Sequence, residues 1–411
     1  MHSFCPSGNR LRRRTTASQA AQQGIDIIHT QALSPSGLSG KLLAFSFRLD
    51  LGAPPALDSA LDPVDTHSIS SLKSAAVTTR VEARVPGQID SLARKETRDG
   101  KPFFELSLAD AEGKLTLRAW SDSPAFSLCE GLAAGDFVEV SGEFAHSAAY
   151  GVESKRWTCA PLSETERDAL LAGPSALRER QNADFEYIGG IVANLVDPRF
   201  RALAELYLTD YGDRFRRTAA ARQNHHARRG GLVEHVAQMM RSADAIAGVY
   251  PMLNRDLLLT AVLFHDAGKL WENALPADGF VMPFVERGEM LGHITIGIEL
   301  VNALWRKLLA SPDAASWSGL QPASEDARLH LLHLVASHHG ELQFGSPVVP
   351  KTPEACALHY VDNLDAKMEM FAVGYTTARH LAPHIQERVW PLPGHLVTPL
   401  PSFRPPESGG S

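Results

Sequence analysis

The chain has 411 residues, 44% hydrophobic and 21% charged, a balance that supports roughly two or three globular bodies with cores of their own. Its net charge of −7, with histidine neutral, excludes a molecule that binds polyanions over its whole surface, so any nucleic-acid contact must come from a local basic face. The four cysteines, Cys5, Cys129, Cys159 and Cys356, form no CxxC pair, which excludes a zinc knuckle and fits a reducing, cytoplasmic compartment.

Residues 1–75 are rich in Ser, Pro, Gly and Ala, as in SPSGLSG and LGAPPALDSALDPVD. Such composition buries too little apolar surface to offset the ordering of the chain, so a disordered or poorly structured extension is expected. Within it, only LLAFSFRLDL at residues 42–51 has strand character. Arg12, Arg13 and Arg14 make a solvated charge run, and the basic start has no apolar core for a secretory signal. No apolar run anywhere reaches the roughly eighteen residues that a membrane span needs.

Residues 76–162 change texture. VEARVPGQIDSLARKETRDG, KPFFELSL, KLTLRAW, DFVEVSGEF and YGVESKRWTC make about five short strands separated by turns, and a small closed β-barrel of the OB type is the common solution. Period-two alternation puts Phe104, Leu106 and Leu108 on one face of the second strand, and Leu115, Leu117 and Ala119 on one face of the third. The opposite face combines Phe103 and Trp120 with Lys114 and Arg118. Rings that stack on bases, beside cations that meet phosphates, bind single strands with little sequence preference. The competing reading is that these rings cover an interface with the next domain.

Residues 163–182 have the composition of a polar helix and linker, punctuated by Gly173 and Pro174. From 183 to 390 the apolar spacing is helical throughout, so the fold class is a small β-barrel followed by an all-α domain. Asn254 is placed to cap the helix leading into HDAGK, while Thr352 and Pro353 are suited to the N-cap and N1 of the helix containing ALHYVDNLDAK. Residues 391–411 form a Pro-rich tail, expected to be extended or disordered.

The helical part carries the chemistry. In LLLTAVLFHDAGK an apolar helix ends in His265 and Asp266, an imidazole and a carboxylate side by side, which suits a divalent cation. The alternative is a plain helix terminus with Gly268 as a left-handed cap. His235, His293, His338, His339 and Asp362 are each expected at or near a helix end, and helical bundles build metal sites from inward side chains on different helices. His235, His265, Asp266 and Asp362 would hold one ion. His293, His338 and His339 allow a second, with Asp266 as the bridging carboxylate. Two cations roughly 3.5–4 Å apart stabilise both the attacking and the leaving oxygen of an in-line phosphoryl displacement. Lys269 either reaches the phosphate or satisfies the last helix carbonyls. His225, His226 and Arg228 in NHHARRGG either contact substrate phosphate or cap the following helix. Asp365 is read as a supporting group, and His330, His333 and His359 as structural. Mixed His and carboxylate donors suit Mn²⁺, Fe²⁺, Co²⁺, Ni²⁺ or Zn²⁺ over a Mg²⁺-only site.

The ordered set NHHARRGGLVEH, AIAGVYPMLNRDLLLTAVLFHDAGKLWE, LGHITIG, SHHGELQFGSP and ALHYVDNLDAK resembles the HD-domain metal-dependent phosphohydrolases. With the barrel before it, the chain resembles the HD-domain 3′-to-5′ exoribonucleases of the YhaM type. That resemblance implies stepwise removal of nucleotides from a 3′ end with Mn²⁺ support, RNA as the favoured single strand, and action on single-stranded DNA as an extension. A phosphohydrolase of small nucleotides or cyclic dinucleotides, and a nucleic-acid-binding regulator with a dormant HD site, are the alternatives. Oligomeric state has no signature in the sequence.

Overall fold

The computed structural model describes residues 64–147, 150–223 and 225–402. The strand expected at 42–51, the arginines at 12–14 and the last residues of the tail lie outside them. Helix α1 (Ile69–Ala75) forms where disorder was expected to continue to residue 75. Ser68 caps it by accepting from Ser71 N, and Ile69 and Leu72, one turn apart, are wholly buried against the sheet that follows. Asp110 fixes the helix start by accepting from Ile69 N at 2.7 Å. Two apolar residues in a polar stretch are too weak a signal to reveal such a helix; packing against the sheet makes it.

The sheet comprises β1 (Val81–Glu96), β2 (Pro102–Ala109), β3 (Lys114–Trp120), β4 (Phe137–Ser147), β5 (Gly151–Glu153) and β6 (Trp157–Pro161), with the short helix α2 (Pro124–Cys129) between β3 and β4. Strand order is β3-β2-β1-β4-β5, with β6 also on β4, all antiparallel. The first half of β1 pairs with β4 and the second half with β2, with a register shift between Ile89 and Ser91. One long strand thus belongs to both halves and curls the sheet. The result is a half-barrel of OB-like form with six strands, since β3 and β5 do not close it through a ladder among the described residues. The alternation holds: Leu106, Leu108, Leu115, Leu117 and Ala119 are buried with Val85, Ile89, Val140 and Phe144.

The segment expected as a linker is structured. Helix α3 (Glu164–Ala172) begins in a capping box between Ser163 and Glu166, and α4 (Ser175–Ala193) runs without interruption across the expected boundary at 183. The helical body continues with α5 (Pro198–Phe215), α6 (Gly231–Val249), α7 (Arg255–Phe264), α8 (Lys269–Glu272), α9 (Glu286–Leu309), α10 (Ser324–Ser337) and α11 (Pro353–Thr377). Asn254 and Thr352 cap α7 and α11 as expected, accepting from Leu257 N and Ala355 N. After Arg255, α7 is buried on every side, as a helix at the centre of a core must be.

After α11 the chain departs from the all-α expectation. Strands β7 (His380–Ala382), β8 (Ile385–Gln386) and β9 (Leu396–Val397) form a small antiparallel sheet, and Leu392 and Leu396 are buried against Met370 and Ala378. The tail expected from 391 is therefore folded as far as β9. The Pro content misled because prolines between short strands look the same as prolines in a coil. Among the described residues, no helix is long and apolar enough to cross a membrane.

Candidate metal centre

The centre lies where α7 ends. His265 is the C-cap of α7, and Asp266 follows it into a turn before α8. Gly268 is not a left-handed cap: its φ is −66°, and it is glycine because the His293 carbonyl lies where a Cβ would be. That close approach brings α9 against the His265–Asp266 turn. Within α9, Gly292 breaks the helix at φ 67°, so His293 opens its second segment facing the turn. His338 is the C-cap of α10 and His339 follows it. His235 lies in the second turn of α6, and Asp362 lies in the middle of α11, not near an end as expected.

These side chains converge. Asp266 Oδ2 is 3.2 Å from His265 Nε2 and 3.8 Å from His235 Nε2, while Asp362 Oδ1 is 3.4 Å from His235 Nε2. The other oxygen, Asp266 Oδ1, is 3.5 Å from His293 Nε2 and 3.7 Å from His338 Nε2, and His293 and His339 face each other at 3.3 Å through their Nε2 atoms. Two groups, His235–His265–Asp266 and His293–His338–His339, each keep their ligand atoms within 4.8 Å of one another.

The tautomers fit a cation. Nδ1 of His265 donates to Val262 O at 2.8 Å, of His338 to Val335 O at 2.8 Å, and of His339 to Phe344 O at 2.7 Å. Nδ1 of His235 donates to Asp365 at 2.7 Å, and Nδ1 of His293 to Glu272 at 2.9 Å. Oxygens of carbonyls and carboxylates only accept, so the proton of each neutral ring is on Nδ1 and the lone pair on Nε2 faces inward. The buried atoms His235 Nε2, His265 Nε2, His338 Nε2 and Asp266 Oδ1 have no hydrogen-bond partner among the described residues. Buried nitrogen and oxygen donors aimed at one another without protons between them are what a divalent ion requires.

The electrostatics agree. Burial opposes the charge of Asp266, but the Lys269 ammonium and then His265 outweigh it and hold the carboxyl well below its usual range. Burial likewise opposes the charge of His235, yet Asp362 and Asp365 raise its pKa to about 9. Without a cation, the pocket draws a proton to His235. Burial pushes His338 well below the ordinary imidazole value, followed by repulsion from His265.

Lys269 starts α8, and its Nζ lies 2.6 Å from Asp266 Oδ2. The NHHARRGG segment separates into different roles. His225 is half-buried, ring to ring with His235 at 5.8 Å, and its Nδ1 has no partner among the described residues; burial lowers its pKa to about 4. His226 and Arg228 do not face the centre as substrate contacts. His226 is buried with Nε2 3.0 Å from Asp365, and the Arg228 guanidinium is held by Glu234 and by Glu369 at 2.6 Å. A guanidinium between two carboxylates is already neutralised.

On the sheet, Phe103 and Trp120 are a cross-strand pair with ring centroids 4.8 Å apart. The two expected cations are engaged: Lys114 with Asp90 at 2.8 Å, and Arg118 with Glu105 at 3.1 Å while stacked 4.0 Å from the Tyr150 ring. A groove of about 720 Å³ beside them is lined by Trp120, Tyr150, Lys101, Lys155 and Arg156, and the last three have no ion pair among the described residues. Sequence reasoning missed Tyr150, Glu272, Glu234 and Glu369. Glu369 had a signal, lying on one helical face with Asp362 and Asp365 at spacings of three and four.

Residues 232–367 match the HD domain family model. The 3′-5′ exoribonucleases YhaM of Bacillus velezensis and of Bacillus subtilis are each 33% identical over 287 residues, covering 69% of this chain and 84% of theirs. That of Geobacillus sp. is 32% identical over 286 residues, covering 69% and 81%. The match spans the helices that bring these histidines and aspartates together. The chain therefore belongs to the YhaM-type family of HD-domain 3′-5′ exoribonucleases.

Proposed function

We propose that this chain removes nucleotides from the 3′ end of single-stranded RNA, using two divalent cations, with Mn²⁺ favoured. The observation that carries the reading is Asp266, whose two oxygens face separate histidine groups. His235, His265, Asp266 and Asp362 would hold one ion, and His293, His338 and His339 with Asp266 would hold a second. Divalent cations bound there would supply charge stabilisation for an in-line phosphodiester displacement.

The chain's own groups do the rest. Asp365 and Glu272 fix the rings of His235 and His293. Lys269 keeps Asp266 ionised and offers its ammonium to the phosphate as negative charge develops. His225 brings to the same space a ring nitrogen that has no partner among the described residues. Phe103 and Trp120 stack bases, and Lys101, Lys155 and Arg156 follow the phosphates, taking over the part expected of Lys114 and Arg118. Imidazole and carboxylate donors together suit Mn²⁺, with Fe²⁺, Co²⁺, Ni²⁺ and Zn²⁺ as substitutes. A cytoplasmic location fits an RNA substrate and the free thiols of Cys129, Cys159 and Cys356.

The internal pairing of Lys114 and Arg118 leaves room for a second reading, hydrolysis of small nucleotides or cyclic dinucleotides with the sheet as a structural cover. A 5′-labelled RNA with a free or blocked 3′ end, incubated with Mn²⁺, separates the two. Progressive shortening of the free-ended strand alone is expected. Equal resistance of both strands, with turnover of a cyclic dinucleotide, selects the second reading.

A further inference from the structure

His226 occupies a costly position. Its φ of 44° makes it the one non-glycine residue in the left-handed region among the described residues, a strained conformation that survives only where surroundings enforce it. Several contacts enforce it here. The carbonyl of His226 accepts from Ala220 N at 3.3 Å and lies where any Cβ on residue 231 would be, which fixes Gly231 at the start of α6. The side chain is 1% exposed. Its Nδ1 lies 3.8 Å from Glu234 and 4.0 Å from Glu369, the two carboxylates that also hold Arg228. Its Nε2 donates at 3.0 Å to Asp365 Oδ2, the same oxygen that accepts from His235 Nδ1 at 2.7 Å.

We infer that His226 is a positioning residue for the metal ligand His235, acting through Asp365. One carboxylate oxygen accepts two imidazole donors, so the Asp365 carboxylate is held from both sides and cannot turn its accepting oxygen away from His235. His235 is thereby kept with Nδ1 protonated and Nε2 directed at Asp266 and Asp362. The inference rests on the metal-centre reading above. It gives His226 a place in the centre without substrate contact, and it explains why a strained backbone is retained beside α6.

The test is Mn²⁺ titration calorimetry on the full chain as wild type, H226N, H226Q, D365N and H226N/D365N. Asparagine tolerates the left-handed region but is too short to reach Asp365, whereas the longer glutamine amide can donate to it. H226N is expected to weaken Mn²⁺ binding about 10–100-fold, the scale for losing a group behind a ligand, while the metal-free melting temperature stays within a few degrees of wild type. H226Q recovers most of the affinity. H226N/D365N binds no more weakly than D365N, because both changes remove the same path. The visible spectrum of the Co²⁺ form shifts in H226N and returns towards wild type in H226Q. Wild-type affinity in H226N, additive losses in the double variant, or glutamine no better than asparagine would overturn the proposal. If H226N does not fold, D365N decides: wild-type affinity there overturns it, and a loss of tenfold or more supports it. Absence of Mn²⁺ binding by the wild type overturns the metal-centre reading and the proposal together.

Discussion

Asp266 is where the charges of the centre meet. It is buried, its Oδ2 lies between His265, His235 and Lys269, and its Oδ1 faces His293 and His338. Asp266→Asn keeps the shape and removes the charge, so it should lower RNA cleavage at least about a hundredfold. Strand affinity, measured by fluorescence anisotropy, should be unchanged; an equal loss of affinity and rate would refute the separation between sheet and centre. His235 sets a pH dependence. Its folded pKa of about 9 exceeds the ordinary 6.5, so its protonation stabilises the metal-free fold fully below about pH 6.5, and that contribution is lost as pH rises through 9. A metal must displace that proton. Apparent Mn²⁺ affinity should therefore fall about tenfold for each pH unit below 9, and calorimetry in two buffers should show proton release. A flat affinity from pH 7 to 9 would contradict this. The residues that converge were legible because His and Asp recur in an ordered series along the chain, although Asp362 lies in the middle of α11 and not near a helix end. The hydrogen bonds behind them were not, since nothing in the sequence places Glu272 against His293 or Glu234 against Arg228.

Helices bring these residues together by how closely their ends approach. The turn from α7 to α8 sits against α9 with no space for a side chain at Gly268. Gly268→Ala forces the His293 carbonyl away, and overpacking of this kind costs about 1–3 kcal/mol. The melting temperature should drop by several degrees, with Mn²⁺ affinity falling as well because His293 moves; an unchanged melting curve would show that α9 yields freely. The caps at Asn254 and Thr352 were legible because capping chemistry is local. Helix α1 was not, because its stability comes from Ile69 and Leu72 meeting a sheet formed later in the chain. The small sheet β7–β9 escaped for the same reason: its two- and three-residue strands have no period long enough to detect.

At the scale of the molecule, a curled sheet with an aromatic pair, and with cations that have no ion pair among the described residues, precedes a helical hydrolase centre. Trp120→Ala should weaken binding of single-stranded RNA by about 1–3 kcal/mol, the value of one stacked base, and leave cleavage of a dinucleotide intact. If dinucleotide cleavage fell equally, Trp120 would be supporting the centre and not the strand. Lys155→Gln and Arg156→Gln together should reduce the salt dependence of RNA binding, whereas Lys114→Gln should change it less, because Lys114 is already paired with Asp90. Which of several cations is free depends on cross-strand neighbours, so alternation revealed the face but not its charge. The most direct measurement is the Mn²⁺ bound per chain at saturation in the wild type and in Asp266→Asn. Two ions in the wild type, with loss of both high-affinity sites in the variant, is the expected result. No bound metal in the wild type, or unchanged stoichiometry and affinity in the variant, would contradict it.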